Sequence, residues 1–288
     1  MQQINTVELM QKWVLEHSSH PIAAVYTMGA LHQGHSHLMT FAREWILREL
    51  DQECFVVASI FVNPTQFTNS QDLEKYPRTL DADSLICEAA GVDALFVPTT
   101  GQMYPEGIEN TVLLDAGPLK NKYEGLSRPG HFGGVVTVVN KLFMATKPQF
   151  AFFGEKDYQQ LTVLRQFVEN QHLDIKIVGV PTVRDENGIA LSSRNSRLSD
   201  DGRTLAHHLP TALDIVSQAV GSGVEVALAI SSAKDYLETF SEIELDYLVV
   251  TDPNMETVPS SGPARVLIAA TIDGVRLLDN KPIQIGRA

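Results

Sequence analysis

The chain has 288 residues, and 35 acidic against 22 basic side chains leave a formal net charge of −13 with histidine neutral. At 44% hydrophobic it is long enough to bury one large core or two moderate ones. The charge balance argues against a surface that binds nucleic acid or anionic membranes by neutralising phosphates, although it says nothing about one local pocket. In chain order, Asn5 and Glu8 read as a capping box ahead of an apolar stripe of Met10, Trp13 and Val14. Ile22–Tyr26 is a short apolar run, followed by a glycine-containing turn and a helix from about His35 to Arg48. Cys54–Val62 is almost wholly apolar, as a strand buried on both faces should be. Leu80–Ala90 reads as a helix ended by Gly91, and Asp93–Val97 as a strand before Pro98. Val135–Phe143 is β-branched enough for a strand but is read as a buried helix. Gln149–Phe153 and Asp174–Val180 are two further strands, with helical spacing over Tyr158–Asn170 between them.

Strands alternating with helices imply right-handed crossovers and a parallel sheet. After about Thr182 the pattern changes. Helical segments near Asp200–Val220 and Val224–Phe240 precede strands Leu245–Thr251 and Arg265–Ile272, and Asp273-Gly274 turns the chain into Val275–Leu278. The expected architecture is therefore a parallel α/β domain over 1–182 and a smaller α+β domain with an antiparallel sheet over 183–288. Cys54 and Cys87 lack C-x-x-C spacing, which points to free thiols in a reducing compartment. The N-terminal MQQINTVELMQKW has no secretory pattern and no apolar run is long enough to cross a bilayer, so a soluble, cytoplasmic protein is expected. His17, His20, His207 and His208 have no neighbours that make a site and are read as solvated; Trp13 and Trp45 are read as core.

Three constellations carry chemistry. The first, Thr27 to His35 (TMGALHQGH), lies where the first long strand turns into a helix, and a helix N-terminus there attracts phosphate. A P-loop reading fails on His35, which stands where the phosphate-gripping lysine belongs. Zinc held by His32 and His35 lacks a cysteine or glutamate partner. A plain glycine-rich turn with solvated histidines competes on level terms. The second, Gly154 to Gln160 (GEKDYQQ), follows another strand; Lys156 there is a point charge for phosphate, against the blander reading of a helix start with a solvated Lys–Asp pair. The third, Leu191 to Asn195 (LSSRN), offers two hydroxyls, an arginine fork and an amide within one turn.

Taken together, H-x-G-H after the first strand and Ser-Ser-Arg after the last resemble the paired signatures of the adenylyl-transferring Rossmann superfamily. The segments TMGALHQGH, SIFVNPTQF, YPRTLDAD, EGLSRPGHFGGVVTVVNKLF, FGEKDYQQL and GIALSSRN, in that order from Thr27 to Asn195, narrow the resemblance to the pantoate–β-alanine ligases. Two departures stand out: Tyr26 where the family generally has proline, and Ala82 where relatives often have an acid.

The resemblance implies a Rossmann-like first domain, with the second closing over the active site. It also implies ATP-dependent condensation of pantoate with β-alanine through pantoyl adenylate, releasing pyrophosphate and AMP. His32 and His35 are then expected on the triphosphate, His35 donating a proton to departing pyrophosphate, with Lys156, Ser192, Ser193 and Arg194 holding phosphates. Met28, Gly29, Ala30, Leu31, Gly34, Gly154, Glu155, Asp157, Val183 and Leu191 are expected to line the ATP site. Gln66 and Gln160 are the expected pantoate ligands, with Asn63, Arg128 and His131 near the pantoate and β-alanine. Mg2+ is expected to accompany ATP, with Asp83 an outer-shell partner. A homodimer without nucleic-acid or membrane partners completes the expectation. The alternatives are another H-x-G-H nucleotidylyltransferase acting on a small phosphorylated acceptor, and a non-catalytic nucleotide sensor.

Overall fold

The computed structural model describes residues 1–67 and 70–286. The chain divides into two compact units, one formed by Met1–Glu155 and Gln159–Pro181, the other by Lys156–Tyr158 together with the chain from Thr182 onward.

The first unit contains β1 (Gln2–Ile4), α1 (Val7–Glu16), β2 (Ile22–Thr27), α2 (Gln33–Leu50), β3 (Phe55–Ile60), α3 (Ser70–Glu74), α4 (Leu80–Ala89) and β4 (Ala94–Phe96). It continues through α5 (Thr100–Met103), α6 (Glu124–Ser127), α7 (His131–Thr146), β5 (Phe150–Gly154), α8 (Tyr158–Asn170) and β6 (Lys176–Val180). The strands form one parallel sheet in the order β1-β4-β3-β2-β5-β6. The chain runs outward from β2 through β3 and β4, then returns to add β5 and β6 on β2's other side. The carboxyl ends of β2 and β5 therefore flank the switch point where open α/β sheets bind ligands. Strand β2 is legible because both its faces are covered: Ala23, Ala24 and Val25 are fully buried, as are Val56, Val57 and Ala58 of β3. Met39, Ala42 and Ile46 recur at helical spacing and lay one face of α2 on the core that includes Ala23, Val25, Val56 and Ala58.

Three details of the first unit differ from expectation. Helix α1 is capped by Thr6, whose hydroxyl accepts from Leu9 N at 3.2 Å, whereas Asn5 accepts from the Gln3 side chain. Strand β1 went unread because its three residues offer only Ile4 to the core. His17 is not simply solvated: its ring stacks on Trp13 with centroids 4.0 Å apart, and Nδ1 lies 2.7 Å from the Trp13 carbonyl. The β-branched stretch around Val135–Phe143 is helical, inside α7.

The second unit contains α9 (Asp200–Ala206), α10 (His208–Gly221), α11 (Val226–Leu237), β7 (Glu244–Thr251), β8 (Gly262–Ile272) and β9 (Val275–Ile285), the strands forming an antiparallel meander. The single helix expected near Asp200–Val220 is two, because Pro210 has no N–H for the Ala206 carbonyl and its ring crowds that carbonyl. Asp273 and Gly274 both have positive φ, +54° and +69°, the backbone that a tight hairpin requires. Strand β9 runs well past Leu278. Asp279 and Asn280 lie inside it, both buried and paired, Asp279 with Arg184 and Asn280 with Arg265. His208 also departs from a solvated reading; its ring stacks on Phe240 at 3.6 Å and its Nδ1 lies 2.7 Å from the Tyr236 hydroxyl. Among the described residues, no helix is long and apolar enough to cross a membrane.

Candidate active site

The loop after β2 is built inward, around one carboxylate. Thr27, the last residue of β2, donates its hydroxyl to Ser59 O at 2.8 Å and accepts from Gly29 N at 3.2 Å. Gly29 has φ +83°, and a Cβ there would come within 3.0 Å of Asp83 Oδ2, so only glycine fits. Ala30 follows in the left-handed region at φ +52°, an arrangement that persists only where surroundings hold it. They do: Ala30 N donates to Asp83 Oδ2 at 3.0 Å and Leu31 N to Oδ1 at 2.8 Å. Thr79 adds a third bond to the carboxylate, its hydroxyl donating to Oδ1 at 3.2 Å, and Asp83 itself is 1% exposed. Asp83, expected as an outer-shell magnesium partner, is thus engaged mainly by its own chain. Both of its oxygens already hold backbone, and it works as the anchor of the loop. Among the described residues no three His, Cys, Asp or Glu side chains converge as a metal cage.

Beyond this anchor His32 caps α2. Its Nδ1 accepts from Gly34 N at 3.1 Å, while its own backbone N donates to His35 Nδ1 at 3.3 Å. Backbone amides only donate, so both Nδ1 atoms are acceptors and both neutral rings carry their proton on Nε2. The rings lie 4.1 Å apart at 48°. His32 at the N-cap and His35 in the first turn of the 18-residue helix thus each hold an Nε2–H beside its positive end.

The turn after β3 supplies the amides. Asn63 Nδ2 donates to Gln66 Oε1 and to Gly134 O, each at 3.3 Å. Gly134 must be glycine for this approach, since a Cβ there would fall 2.3 Å from Thr65 O. Gln66 Nε2 lies 2.7 Å from Met28 Sδ, which joins this turn to the loop after β2. His131 Nδ1 donates to Gln66 O at 2.8 Å, and Arg128 Nη1 lies 3.2 Å from His131 Nε2. Sequence reasoning had Arg128 and His131 near the substrates; the structure places them on the backbone of Gln66. Gln160 is half-buried on α8. Its neighbour Gln159, which sequence reasoning passed over, is buried and ties α8 to the segment before α6, accepting from Glu124 N and donating to Leu119 O and Lys122 O. Tyr26 hydrogen-bonds Thr146 at 2.6 Å, and burial raises its phenol well above the usual value. The residue that replaces proline thereby fastens the end of α7 to β2.

Lys156, Ser192, Ser193 and Arg194 belong to the second unit. Lys156 O accepts from Asn280 Nδ2 at 2.8 Å, and its ammonium lies 3.6 Å from Asp157. Two residues on, Tyr158 is covered by the Arg265 guanidinium at 3.7 Å and donates to Pro253 O. The loop from Val183 to Asn195 closes through Leu191 N to Val183 O at 3.0 Å and Asn195 Nδ2 to Ala190 O at 3.0 Å. Arg184 at its base grips Asp279 with both terminal nitrogens, at 2.6 and 2.8 Å. Ser192 Oγ accepts from Arg194 N, capping a 3-10 turn over Ser193–Arg197. Gly154 ends β5, and Glu155 reaches toward Gly179 of β6.

A parallel sheet ending in an H-x-G-H loop, followed by an antiparallel α+β unit, defines the class as a Rossmann-like chain of the H-x-G-H type. The family model for pantoate-beta-alanine ligase matches residues 2–282. A pantothenate synthetase of Rhizorhabdus wittichii is 44% identical over 99% of both chains. The crystal structure of pantothenate synthetase from Thermus thermophilus superposes with TM-score 0.88 at 41% identity, covering 98% of this chain and 99% of the other. The pantoate-beta-alanine ligase of Francisella tularensis, solved with beta-gamma ATP and beta-alanine, gives TM-score 0.78 at 32% identity, covering 98% and 97%. This chain belongs to the pantoate–β-alanine ligase family, whose members are ATP-dependent ligases.

Proposed function

We propose that the chain joins pantoate to β-alanine in two half-reactions. A carboxylate oxygen of pantoate attacks the α-phosphorus of ATP, the bond to the β-phosphate oxygen breaks, and pyrophosphate leaves. The β-alanine amine then attacks the acyl carbon of pantoyl adenylate; AMP departs, the amide forms and the amine loses a proton. No protein nucleophile is needed, so the chain's work is orientation and stabilisation of growing phosphate charge.

The observation that carries this reading is the pair of Nε2–H donors fixed at the start of α2 by His32 and His35. His35 protonates the departing pyrophosphate and His32 binds the triphosphate. Lys156 and Arg194 supply charge, with Ser192 and Ser193 as hydroxyl partners. Gly29, Ala30 and Gly34 let the backbone approach the nucleotide; Met28, Leu31, Gly154, Glu155, Asp157, Val183 and Leu191 complete the ATP site. Gln66 and Gln160 recognise pantoate through neutral amides, where carboxylates would repel its negative charge. Asn63, Arg128 and His131 support that side. Mg2+ would accompany ATP and supply charge neutralisation at its phosphates, with Asp83 as the outer-shell residue that the resemblance names.

The division at about Thr182 into a nucleotide-binding domain and a smaller C-terminal domain belongs to this proposal. So does a homodimer, which light scattering would test, and for which the exposed run Val112, Leu113 and Leu114 is suitable apolar surface. Two free, buried cysteines fit a reducing cytoplasm. In the purified protein, ATP with pantoate alone should exchange pyrophosphate, and AMP should appear only when β-alanine is added. His35→Ala and Lys156→Ala should each lose at least about a hundredfold of the exchange while melting within a few degrees of the parent. Exchange that needs no pantoate, in folded protein, would overturn the reading.

A further inference from the structure

We infer that Tyr104 is a positioning residue for pantoate, acting through Asn63 to set which end of the Gln66 amide faces the substrate. This rests on the reading of Gln66 as a pantoate ligand. Tyr104 lies just after α5, 2% exposed, and 41 residues beyond the side chain it serves. Its hydroxyl donates to Asn63 Oδ1 at 2.6 Å, the shortest bond that Asn63 makes. Thr65 adds weaker bonds to the same oxygen, at 3.1 Å from its hydroxyl and 3.4 Å from its backbone N.

Thr65 N requires an acceptor at Oδ1 and Gly134 O requires a donor at Nδ2, and the Tyr104 and Thr65 hydroxyls donate into that arrangement. The Asn63 amide therefore has one orientation. Its Nδ2 points at Gln66 and meets Oε1, so Oε1 is the end of the Gln66 amide turned inward. The other end, Nε2, is directed at Met28 Sδ. A thioether is a poor acceptor, so a hydroxyl or carboxylate oxygen of a ligand is the better partner for Nε2. With the opposite orientation Gln66 would present a carbonyl to an anionic substrate, which repels it. His131 and Arg128 hold the Gln66 backbone at the same time, leaving the side-chain amide as the one freedom that Asn63 removes.

The Tyr104 ring is independently packed, close to Phe61 with Lys141 Nζ 5.0 Å from its centroid. Tyr104→Phe therefore deletes the bond and keeps the packing. The test is pantoate-dependent ATP–pyrophosphate exchange by full-length protein, measured in the parent, Tyr104→Phe, Gln66→Ala and the double variant, with thermal unfolding followed alongside. Tyr104→Phe should lower kcat/KM for pantoate about tenfold by raising KM, leaving KM for ATP unchanged. In the Gln66→Ala background the same substitution should have no further effect, because the group it positions is gone. Asn63→Asp, which keeps the acceptor for Tyr104 and loses the donor for Gln66, should reproduce this dependence by a second route. An unchanged pantoate KM in Tyr104→Phe, or an effect undiminished without Gln66, overturns the inference. A pantoate KM untouched in Gln66→Ala removes the ligand reading itself, and the inference with it.

Discussion

The two units hold their functional loops by different physics. In the first, Ala30 and Leu31 turn their backbone amides onto a carboxylate that is 1% exposed, and the next residues are locked by histidine side chains capping α2. In the second, the loop from Val183 to Asn195 hangs on Arg184, whose side chain is 30% exposed while that of its partner Asp279 is 4% exposed. A buried charge with three hydrogen bonds is stiff and indifferent to salt. A partly exposed ion pair is screened by ions and costs side-chain entropy to hold. A rigid H-x-G-H loop, and a more yielding grip on the Ser-Ser-Arg loop, is the arrangement this contrast describes.

Asp83→Asn strikes the stiff side and should have the largest effect. It sets an amide donor against backbone donors in a dry site, costing about 2–4 kcal/mol of stability. By releasing the histidines it should also cost at least about a hundredfold in pyrophosphate exchange. Chemical denaturation and exchange kinetics check both; a variant that keeps its activity would show that the loop is stiff without its anchor. Asp279→Asn strikes the other side and should cost less, about 1–3 kcal/mol. The parent's exchange activity should fall as salt rises and the variant's should not, which is the sharper measure of the contrast. The smallest effect concerns acid. Burial, and then the nearby His207, lower the pKa of His208 from 6.5. A base whose folded pKa is depressed contributes stability that is complete above the unfolded value and is lost as pH falls through the folded one. The melting temperature should therefore decline below about pH 6.5, and His208→Gln should flatten that decline, locating the acid-sensitive packing in the second unit.

Much of this molecule is legible in its sequence where one side chain's environment is set by its near neighbours. The runs at Ile22 and Cys54 are apolar on both faces and could only be interior parallel strands. Helix α8 over Tyr158–Asn170 declares itself by spacing. The histidines announce their site because His32 and His35 are one turn apart at a strand end. The anchoring role of Asp83 is hidden for a physical reason: nothing local in the first turn of α4 tells that this acid is buried beneath a loop 52 residues earlier. Tyr104 and Gln159 were missed for the same reason, since their bonds reach Asn63 and Leu119 across 41 and 40 residues. The candidate site is legible at the groups whose chemistry is distinctive and opaque at the groups that hold them still.

The sheet order also dictates when this site can exist during synthesis. Strand β2 pairs with β5 through Ala23 and Phe150, so one side of the sheet's middle strand stays open until 127 more residues have been made. At a ribosomal pace that interval is about 6–25 s, during which an apolar strand edge invites the wrong partner. The Lys156 segment waits longer still. Its carbonyl is held by Asn280, 124 residues later, in the final strand. The chain completes the loop after β2 early, and the hold on the Lys156 carbonyl comes last, as the β8–β9 hairpin closes.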